Sequence, residues 1–389
     1  MEKKVSSLLF THIKPEIWHY KLAKSLRKKG IKTSAFYIKK CDRQFYESAF
    51  NEITCLELPN MKAKTVFIEF FKNPAKFTKF FYKLFTAKSD ISITEAPPNY
   101  LAAFYLWALK GRTKRVLFPY DIFSARVKNP SVLTGKQTLG EKYSFKNADA
   151  IMYKEGSGVL NLLPKDYDID KKPALFMPMY SIEEWFANPK KIEKLSKKDG
   201  EIHIVNPSAF FGGESVIYNS MIPYITEIIK QKIHLHFYVS GDLKAVEEKG
   251  HKEVALNNPE LIKYFHIHKF VAPEKLAEEI SKYDLGLYLT HYTNLANPDF
   301  PQYTSGNKIS SYMEAGIPFV VKEENKLNSN LARKNGIGVV VKDIDEMKKA
   351  IEKFDLKKAE QNVLKFREKY TFDNHASEII KFFASLKKE

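Results

Sequence analysis

Residues 305–321 read SGNKISSYMEAGIPFVV, and this stretch says more about the fold than any other part of the chain. A short polar loop ends at Lys308 and runs into a helix, which Gly316 and Pro318 terminate before an apolar strand begins. Such a loop brings free backbone N–H groups, the positive end of a helix dipole and a cation to one point. Anionic phosphate groups bind well at points of this kind. We therefore predict that the loop binds a phosphate group.

Strands and helices alternate along the chain before and after this stretch. Apolar runs predict strands in the second half at 202–206, 233–240, 264–270, 285–289, 318–321 and 338–341, with helices between them. A similar series in the first half predicts strands at 5–10, 31–38, 91–94, 116–118, 150–152 and 175–179. Strands that alternate with helices at this spacing indicate parallel, doubly wound α/β sheets.

A charged segment, residues 183–200, separates the two series. It contains Pro189 and two Lys-Lys pairs, so we interpret it as the linker between two domains. The predicted architecture is two Rossmann-like domains, residues 1–182 and 200–371, which face each other across a cleft. Ligands of such sheets bind beyond the carboxyl ends of the strands, so the cleft is the expected site.

The charge is distributed unevenly between the two halves. The chain has a formal net charge of +17, and residues 1–180 contribute 32 basic and 16 acidic side chains to it. The remaining residues contribute 31 and 30, so nearly all of the excess lies in the first half. This asymmetry indicates an anionic partner for the first domain. The candidates are nucleic acid, an anionic membrane and an acidic substrate.

Residues 62–88 combine aromatic and basic side chains. The aromatic positions recur every three to four residues among lysines: Phe67, Phe70, Phe71, Phe77, Phe81 and Phe85, with Lys62, Lys64, Lys72, Lys76, Lys79, Lys83 and Lys88. Pro74 is predicted to divide the segment into two short helices. The composition is typical of a helix that lies in an anionic membrane surface, although an amphipathic helix packed on the domain core shows the same pattern. No recognised nucleic-acid-binding module occurs, so we do not expect nucleic acid as a partner.

The sequence predicts a cytoplasmic protein. No apolar run reaches the roughly 18–20 residues of a membrane span, and residues 1–10 lack the apolar length and the cleavage site of a signal peptide. Cys41 and Cys55 have no metal-ligand spacing and are expected to be reduced. Together with residues 62–88, these features predict a protein that is peripheral to the inner face of the cytoplasmic membrane. The oligomeric state stays open.

Several segments, taken in order, resemble those of GT-B glycosyltransferases. They are residues 141–151 (EKYSFKNADAI), 265–273 (FHIHKFVAP), 284–288 (DLGLY) and 305–321. The outline is most similar to glycosyltransferase family 4 and to related O-antigen, capsule and adhesin glycosyltransferases. The resemblance implies a C-terminal domain that binds a nucleotide sugar and an N-terminal domain that binds the acceptor. It also implies that the last helix, within residues 372–389, crosses back to pack on the N-terminal domain.

The resemblance places the donor site on several loops. Lys308 and the helix that follows it would hold the diphosphate, and Lys308 would neutralise charge as the sugar leaves. Backbone groups of Phe270 and Val271 would contact the nucleobase. The predicted donor-binding residues are Ser305, Gly306, Asn307, Lys308, Ser311, Glu314, Tyr292, Thr293, Gly212, Gly213, Phe270 and Val271.

Two departures from family 4 leave the donor and the stereochemistry open. Ser311 stands where that family carries a glutamate that hydrogen-bonds the donor ribose. Tyr303 stands where the first glutamate of its paired-glutamate motif falls. A serine hydroxyl bonds a ribose hydroxyl more weakly than a carboxylate does.

Acceptor-side candidates follow predicted strands of the first domain. Asp121, next to Tyr120, is the candidate catalytic base if the reaction inverts configuration. The alternative for Asp121 is an N-cap role before Ile122. His12 and Glu95 end two other strands. The predicted catalytic residues are Asp121, Lys308 and His12, and the predicted acceptor-binding residues are His12, Glu95 and Tyr120. No pattern calls for a metal, or for a cofactor beyond the nucleotide-sugar substrate.

These features predict a glycosyltransferase of polysaccharide biosynthesis that moves a sugar from a nucleotide-diphosphate donor to a hydroxyl of a lipid-linked or cell-surface glycan. An alternative is a non-catalytic GT-B subunit that binds glycan or protein and supports a partner transferase, and the departures at Ser311 and Tyr303 favour it. A nucleotide-sugar 2-epimerase would keep the fold but would leave the basic aromatic segment unexplained.

Overall fold

The computed structural model describes residues 4–96, 100–207, 219–239, 243–255 and 259–387. Within these ranges the chain forms two parallel β-sheets, one of seven strands and one of six. The two predicted series of alternating strands and helices are therefore confirmed as two Rossmann-like α/β units.

The first sheet contains the basic half of the chain. Its strands are β1 (Ser7–His12), β2 (Lys32–Lys39), β3 (Glu52–Leu58), β4 (Ile91–Glu95), β5 (Lys114–Phe118), β6 (Ala150–Tyr153) and β7 (Ala174–Phe176). Its helices are α1 (Ile17–Lys28), α2 (Arg43–Glu47), α3 (Ala63–Lys72), α4 (Pro74–Thr86), α5 (Tyr100–Ala108), α6 (Phe123–Arg126) and α7 (Gly135–Asn147). The strand order is β3-β2-β1-β4-β5-β6-β7.

The second sheet repeats this arrangement. Its strands are β8 (His203–Asn206), β9 (His234–Val239), β10 (Phe265–Lys269), β11 (Leu285–Tyr288), β12 (Phe319–Lys322) and β13 (Gly338–Val341), in the order β10-β9-β8-β11-β12-β13. The helices of this half are α8 (Ser196–Asp199), α9 (Ile222–Lys230), α10 (Leu243–Ala255), α11 (Pro273–Ile280), α12 (Asn307–Ala315), α13 (Lys326–Asn335), α14 (Met347–Glu352), α15 (Leu356–Arg367) and α16 (Phe372–Leu386).

Strand order determines where ligands can bind. In the first sheet β1 lies between β2 and β4, and in the second β8 lies between β9 and β11, so the direction of winding reverses beside β1 and beside β8. The loops after such strands separate to opposite faces of the sheet and leave a crevice at their carboxyl ends. The candidate site is therefore expected after β1 and β4 and after β8 and β11.

The last helix returns to the first unit, as the resemblance implies. Residues Tyr370 and Phe372 exchange backbone hydrogen bonds with Ser181, at N–O distances of 3.1 and 3.0 Å. From there α16 packs on α1, and Lys28 pairs with Asp373 at 2.8 Å. This crossing gives two connections between the units, which limits how far they can separate.

Some elements differ from the predicted ones. The sequence pattern does not predict β3, because Glu52 and Glu57 interrupt its apolar run; β3 is an edge strand, so part of it can face solvent. The predicted linker, residues 183–200, contains short helical turns and the buried Trp185, and it packs on the second unit through Leu195 N–H and the Lys282 carbonyl at 2.9 Å. The predicted break at Pro74 is confirmed by the boundary between α3 and α4.

No helix within the described ranges combines the length and the hydrophobicity that crossing a bilayer requires.

Gly286 allows α12 to approach the second sheet closely. A Cβ at this position would lie 2.3 Å from Cε1 of Tyr312, whose hydroxyl donates a hydrogen bond to the Leu287 carbonyl at 2.7 Å. Tyr312 is fully buried, so its ring has little room to move. The glycine at this position is therefore required by its neighbour in α12.

We expect Gly286→Ala to lower the free energy of unfolding by about 1–3 kcal/mol, because overpacking forces side chains or backbone to shift. Chemical denaturation of the variant measures this. Gly135→Ala is the matched control, since a Cβ there meets nothing within 4 Å. Equal stability of the two variants would show that the sheet and α12 relax without cost.

Candidate active site

A cavity of about 690 Å³ lies between the two sheets, where the strands of both end. Its first-unit wall includes Tyr120 and Asp121 after β5 and Lys154 after β6. Its second-unit wall is formed by Pro207 after β8, by residues 288–292 at and after β11, and by residues 304–308 at the start of α12. In the second unit the cavity therefore lies where the strand order predicts, after β8 and β11, whereas in the first unit it lies after β5 and β6 and not after β1 and β4.

The loop 305–308 is built as the sequence indicates. Gly306 is the N-cap of α12, and Gly316 ends the helix with a left-handed φ of +72°. A Cβ on Gly306 would lie 2.9 Å from the Tyr288 ring, so this glycine also permits close contact with the end of β11. Ser305, Gly306, Asn307 and Lys308 all line the cavity, with the first N–H groups of α12 beside it.

Lys308 is a half-buried cation at this helix start. Burial lowers the pKa of Lys308 to about 8, so its ammonium group is still mostly charged at pH 7. Its neighbour His291 is uncharged there, because burial, and then the Lys308 charge, lower the pKa of His291 to about 4. Among the described residues the structure records no hydrogen bond or ion pair for the Lys308 side chain. An anion bound in the cavity would supply an ion-pair partner for Lys308.

Two further cations reach the cavity from the first unit, and sequence reasoning missed both. Lys154 Nζ lies 2.8 Å from Glu155 Oε1, 3.2 Å from the Ser305 carbonyl oxygen and 4.6 Å from the centre of the Tyr120 ring. Arg126 Nη2 lies 2.6 Å from Asp121 Oδ1. The signal for Lys154 was its position two residues after the predicted strand 150–152.

Asp121 lines the cavity but is paired with Arg126. Burial alone would raise the pKa of Asp121, yet the charges of Arg126 and Lys154 outweigh it and hold this pKa below its usual value. Asp121 does not cap α6: the backbone N–H of Phe123, the first residue of that helix, donates to Glu141 Oε2 at 2.8 Å. The N-cap alternative is therefore wrong, and Asp121 is a weakly basic, ionised carboxylate.

His12 and Glu95 form a buried cluster beneath the cleft. His12 Nδ1 donates to the Lys14 carbonyl at 2.8 Å, which leaves Nε2 as its basic atom, 3.6 Å from Glu95 Oε1. Burial lowers the pKa of His12 despite the nearby Glu95, so the imidazole is neutral near pH 7. Neither residue is in the lining of the large cavity.

The same cluster could in principle ligate a metal ion, since ligand atoms of His12, Glu16 and Glu95 lie within 4.8 Å of one another. Its carboxylates already have partners. Trp18 Nε1 donates to Glu95 Oε2 at 2.8 Å, and Glu16 lies 3.3 Å from Lys14 Nζ. The cluster thus holds together as a hydrogen-bonded network of the protein alone.

Contacts across the cleft join the loop 305–308 and α12 to the first unit. Asn307 Nδ2 donates to the Tyr120 hydroxyl at 2.8 Å. Lys21 of α1 and Glu314 of α12 form an ion pair of 2.6 Å, and both side chains are about 95% buried. The Ile182 N–H donates to the same Glu314 oxygen at 3.0 Å. These contacts fix the start of α12 relative to the strand ends of the first sheet.

A smaller cavity of about 170 Å³ adjoins the large one. It shares Pro207 and Asn307 with it and is lined further by Phe270, Val271 and Ser311. The residues predicted to contact a nucleobase and a ribose therefore lie together, next to the loop predicted to bind phosphate.

Comparisons with known proteins agree with this arrangement. Residues 224–380 match the sequence model of a family described as glucosyltransferase 3-like, C-terminal domain. No curated protein matches the sequence of the chain. Solved structures match almost its whole length. The HepE protein of Anabaena, solved in complex with UDP and glucose, is 11% identical, with a TM-score of 0.65 over 97% of this chain and 99% of that chain.

Two other solved structures are similar over comparable lengths. Sucrose-phosphate synthase from Thermosynechococcus elongatus is 13% identical, with a TM-score of 0.63 over 98% of this chain and 99% of that chain. UDP-GlcNAc 2-epimerase from Methanocaldococcus jannaschii is 11% identical, with a TM-score of 0.53 over 97% and 99%.

This chain has the GT-B fold.

Within the GT-B cleft, most of the predicted donor residues line one of the two cavities. Ser305, Gly306, Asn307, Lys308 and Tyr292 line the large cavity, and Phe270, Val271, Ser311 and Glu314 line the small one. Thr293 instead lines a separate surface pocket near Asn297. Gly212 and Gly213 lie outside the described residues. Tyr120 lines the large cavity as predicted.

Glu314 needs a correction. It was predicted among the donor-binding residues, but it is only 3% exposed and its carboxylate is engaged by Lys21 and the Ile182 N–H. Tyr303 also takes part in domain contact: its ring lies against Gly158, where a Cβ would come within 2.3 Å of Cε1. Both positions therefore connect the two GT-B units.

We expect Glu314→Ala to lower the free energy of unfolding by about 3–5 kcal/mol, because it leaves the buried Lys21 charge unpaired. Urea denaturation measures the loss. The matched variant is Lys21→Met with Glu314→Leu, which replaces both charges by apolar groups and should recover most of the stability. If the double variant is as unstable as the single one, packing and not charge accounts for the loss.

Proposed function

We propose that this protein is a glycosyltransferase that transfers a sugar from a nucleoside-diphosphate sugar to a hydroxyl group of a glycan acceptor. The observation that carries the proposal is Lys308, a half-buried cation without a recorded partner among the described residues, at the start of a helix in the cleft. A diphosphate matches the charge of Lys308 and the hydrogen-bonding capacity of the first α12 N–H groups.

The sizes and linings of the two cavities fit the parts of such a donor. The small cavity presents Phe270, Val271 and Ser311, which suit a base and a ribose. The large cavity, at about 690 Å³, lies in the range of small-molecule sites and has room for the diphosphate, the sugar and part of an acceptor. That HepE, a protein of this fold, was solved with UDP and glucose supports a nucleotide donor.

The proposed reaction divides the work between the two walls of the cleft. The acceptor hydroxyl attacks the anomeric carbon of the sugar, and the nucleoside diphosphate departs. Lys308 and the start of α12 stabilise the charge that develops on the diphosphate. These protein groups are in position before the reaction begins, so their stabilisation is pre-organised. Of the two predicted bases, Asp121 lines the large cavity and is therefore the proposed proton acceptor, and its pairing with Arg126 makes it a weak base. His12, neutral near pH 7, lies outside that lining.

Nucleotide binding tests the donor site. We expect one of UDP, GDP, CMP and dTDP to raise the melting temperature, with about 2.7 kcal/mol of added stability at 100 times its dissociation constant. Lys308→Ala should abolish the shift. Because the Lys308 ammonium loses its proton above its pKa of about 8, binding should weaken from pH 8 to pH 9.5. Lys308→Arg, which stays charged, should show no such weakening.

Failure of all four nucleotides would contradict the donor site and favour the non-catalytic subunit. Binding that is unchanged in Lys308→Ala would place the diphosphate elsewhere in the cleft.

We propose further that the acceptor is lipid-linked and that the first unit docks on an anionic membrane. Exposed aromatic side chains of α3, α4 and α5 form what we call the aromatic patch: Phe67 (65% exposed), Phe70 (43%), Phe71 (64%), Tyr82 (69%), Phe85 (39%) and Trp107 (58%). The segment 62–88, which carries most of the patch, also contains seven lysines. Phe77 is buried at 5% exposure, so it belongs to the core and not to this surface.

We expect the protein to sediment with vesicles that contain anionic lipid and to stay free of neutral phosphatidylcholine vesicles. Cations near such a surface add about 1 kcal/mol each, and the aromatic side chains insert into the interface. Phe67→Ala with Phe71→Ala should lower vesicle binding at least tenfold. Leu295→Ala, at a comparably exposed apolar residue of the second unit, is the control. Equal vesicle binding by the wild type and all variants would show that the aromatic patch is not the membrane-binding surface.

A further inference from the structure

Five of the ten histidines lie side by side on three neighbouring strands of the second sheet: His203 on β8, His234 and His236 on β9, and His266 and His268 on β10. They form two hydrogen-bonded rows. In one row His203 Nδ1 lies 3.0 Å from His236 Nε2, and His236 Nδ1 lies 2.9 Å from His268 Nε2. In the other, His234 Nδ1 lies 2.8 Å from His266 Nε2. We call this arrangement the histidine rows.

Both rows end at carboxylates. His203 Nε2 lies 2.9 Å from Asp199 Oδ2, and His234 Nε2 lies 2.6 Å from Glu201 Oε2. Ligand atoms of Asp199, His203 and His234 all lie within 4.8 Å of one another. The second oxygen of Asp199 accepts the Glu201 N–H at 2.9 Å, which holds the carboxylate with Oδ2 toward the imidazoles. Two imidazole nitrogens and the Asp199 carboxylate thus converge at one edge of the sheet, and the Glu201 carboxylate lies against His234.

We infer that Asp199, His203 and His234, with Glu201 beside them, bind a divalent transition-metal ion such as Zn²⁺. The two imidazoles and Asp199 supply three ligands. Glu201, bonded to His234, would complete the usual four-coordinate set and bring the carboxylate charge to the two that match Zn²⁺. Imidazole ligands favour Zn²⁺ and its neighbours over Mg²⁺, which prefers an octahedral set of oxygens.

The histidine rows supply the support that such ligands need. A metal-ligating histidine commonly donates its other ring N–H to a fixed partner, which sets the tautomer and the ring orientation. Here the partner of each ligand is another imidazole, His236 for His203 and His266 for His234. Without metal, Nε2–H donates to the carboxylate and Nδ1 accepts from the next ring.

With metal on Nε2, the proton moves to Nδ1 and the next ring becomes the acceptor. A neutral imidazole can take either role by changing tautomer, whereas a lysine or a backbone carbonyl cannot. The rows therefore contain a suitable donor or acceptor for either tautomer of the two ligand histidines.

Metal binding requires a small rearrangement. The rings of His203 and His234 are stacked, parallel within 4° and with centroids 4.4 Å apart. Because a metal bonds imidazole nitrogen along the ring plane, both rings must rotate about χ2 before their lone pairs meet at one ion. The Asp199 side chain is 42% exposed and can adjust to the ion from the solvent side, whereas His203 is only 7% exposed and turns against its stacked neighbours.

The position of the site indicates a structural role. His203 and His234 are the first residues of their strands, so the site lies at the amino ends of β8 and β9, away from the cleft at the carboxyl ends. Asp199 belongs to α8, at the end of the linker between the two units. A bound ion would fasten the linker to the sheet, independently of whether the cleft binds a nucleotide.

The test uses the full chain after treatment with a chelator. We expect Zn²⁺ to raise its melting temperature, and Mg²⁺ at the same concentration to leave it unchanged. Asp199→Asn and His234→Gln should each lower Zn²⁺ affinity at least tenfold. The control is His375→Gln, which removes an exposed histidine from another part of the chain. Asp199 and His234 lie near the surface, so their variants keep the core intact.

A second measurement separates ligand and supporting roles. Co²⁺ in place of Zn²⁺ should give the visible absorption of a four-coordinate ion in the wild type and lose it in Asp199→Asn. His266→Phe keeps a stacked ring but removes the partner of His234 Nδ1, and it should weaken Zn²⁺ binding about 10–100-fold. The inference would be overturned if Zn²⁺ did not stabilise the wild type. It would also be overturned if Zn²⁺ stabilised Asp199→Asn and His234→Gln as much as the wild type.

Discussion

The ion pair between Lys21 and Glu314 fixes the relation between the two halves of the cleft. It joins α1 to α12 at 2.6 Å, and both charges are removed from water, so neither is stable there without the other. The start of α12 carries the loop 305–308, while α1 carries Trp18 and His19, which contact Glu95. This pair, together with the contacts of Asn307 and Ser305 to the first unit, holds the loop 305–308 at a defined distance from the buried cluster.

Charge is balanced in the cleft with one exception. Arg126 is paired with Asp121, and Lys154 is paired with Glu155, so these cations orient their neighbours and add little net charge. Lys308 alone among the three enters the cavity without a recorded anion in the described part of the chain. The cost of burying it appears as its lowered pKa. A site that keeps one cation in this condition is prepared for a ligand that brings the missing negative charge.

Local features of the sequence were enough to predict the fold and the geometry of the loop 305–308. Gly306, Gly316 and Pro318 mark the ends of α12, and the apolar runs mark most strands, because these signals depend only on neighbours in the chain. The edge strand β3 was not predicted, because its acidic residues interrupt the apolar pattern.

Pairings across the fold could not be predicted in the same way. The role of Glu314 depends on Lys21, and the pairing of Lys154 with the Ser305 carbonyl depends on two domains meeting. Likewise, the five histidines are scattered in sequence and become neighbours only when β8, β9 and β10 pair in register. Residues that act on partners distant in the chain need the tertiary structure to be recognised.

The contact between Gly158 and Tyr303 has a consequence for how such a chain can diverge. The glycine is required by a ring from the opposite unit, which leaves no space for even one methyl group. Substitutions at the two positions are therefore not independent. A descendant can acquire a side chain at 158 only after the aromatic ring at 303 has become smaller, so the domain boundary constrains the order in which mutations can be accepted.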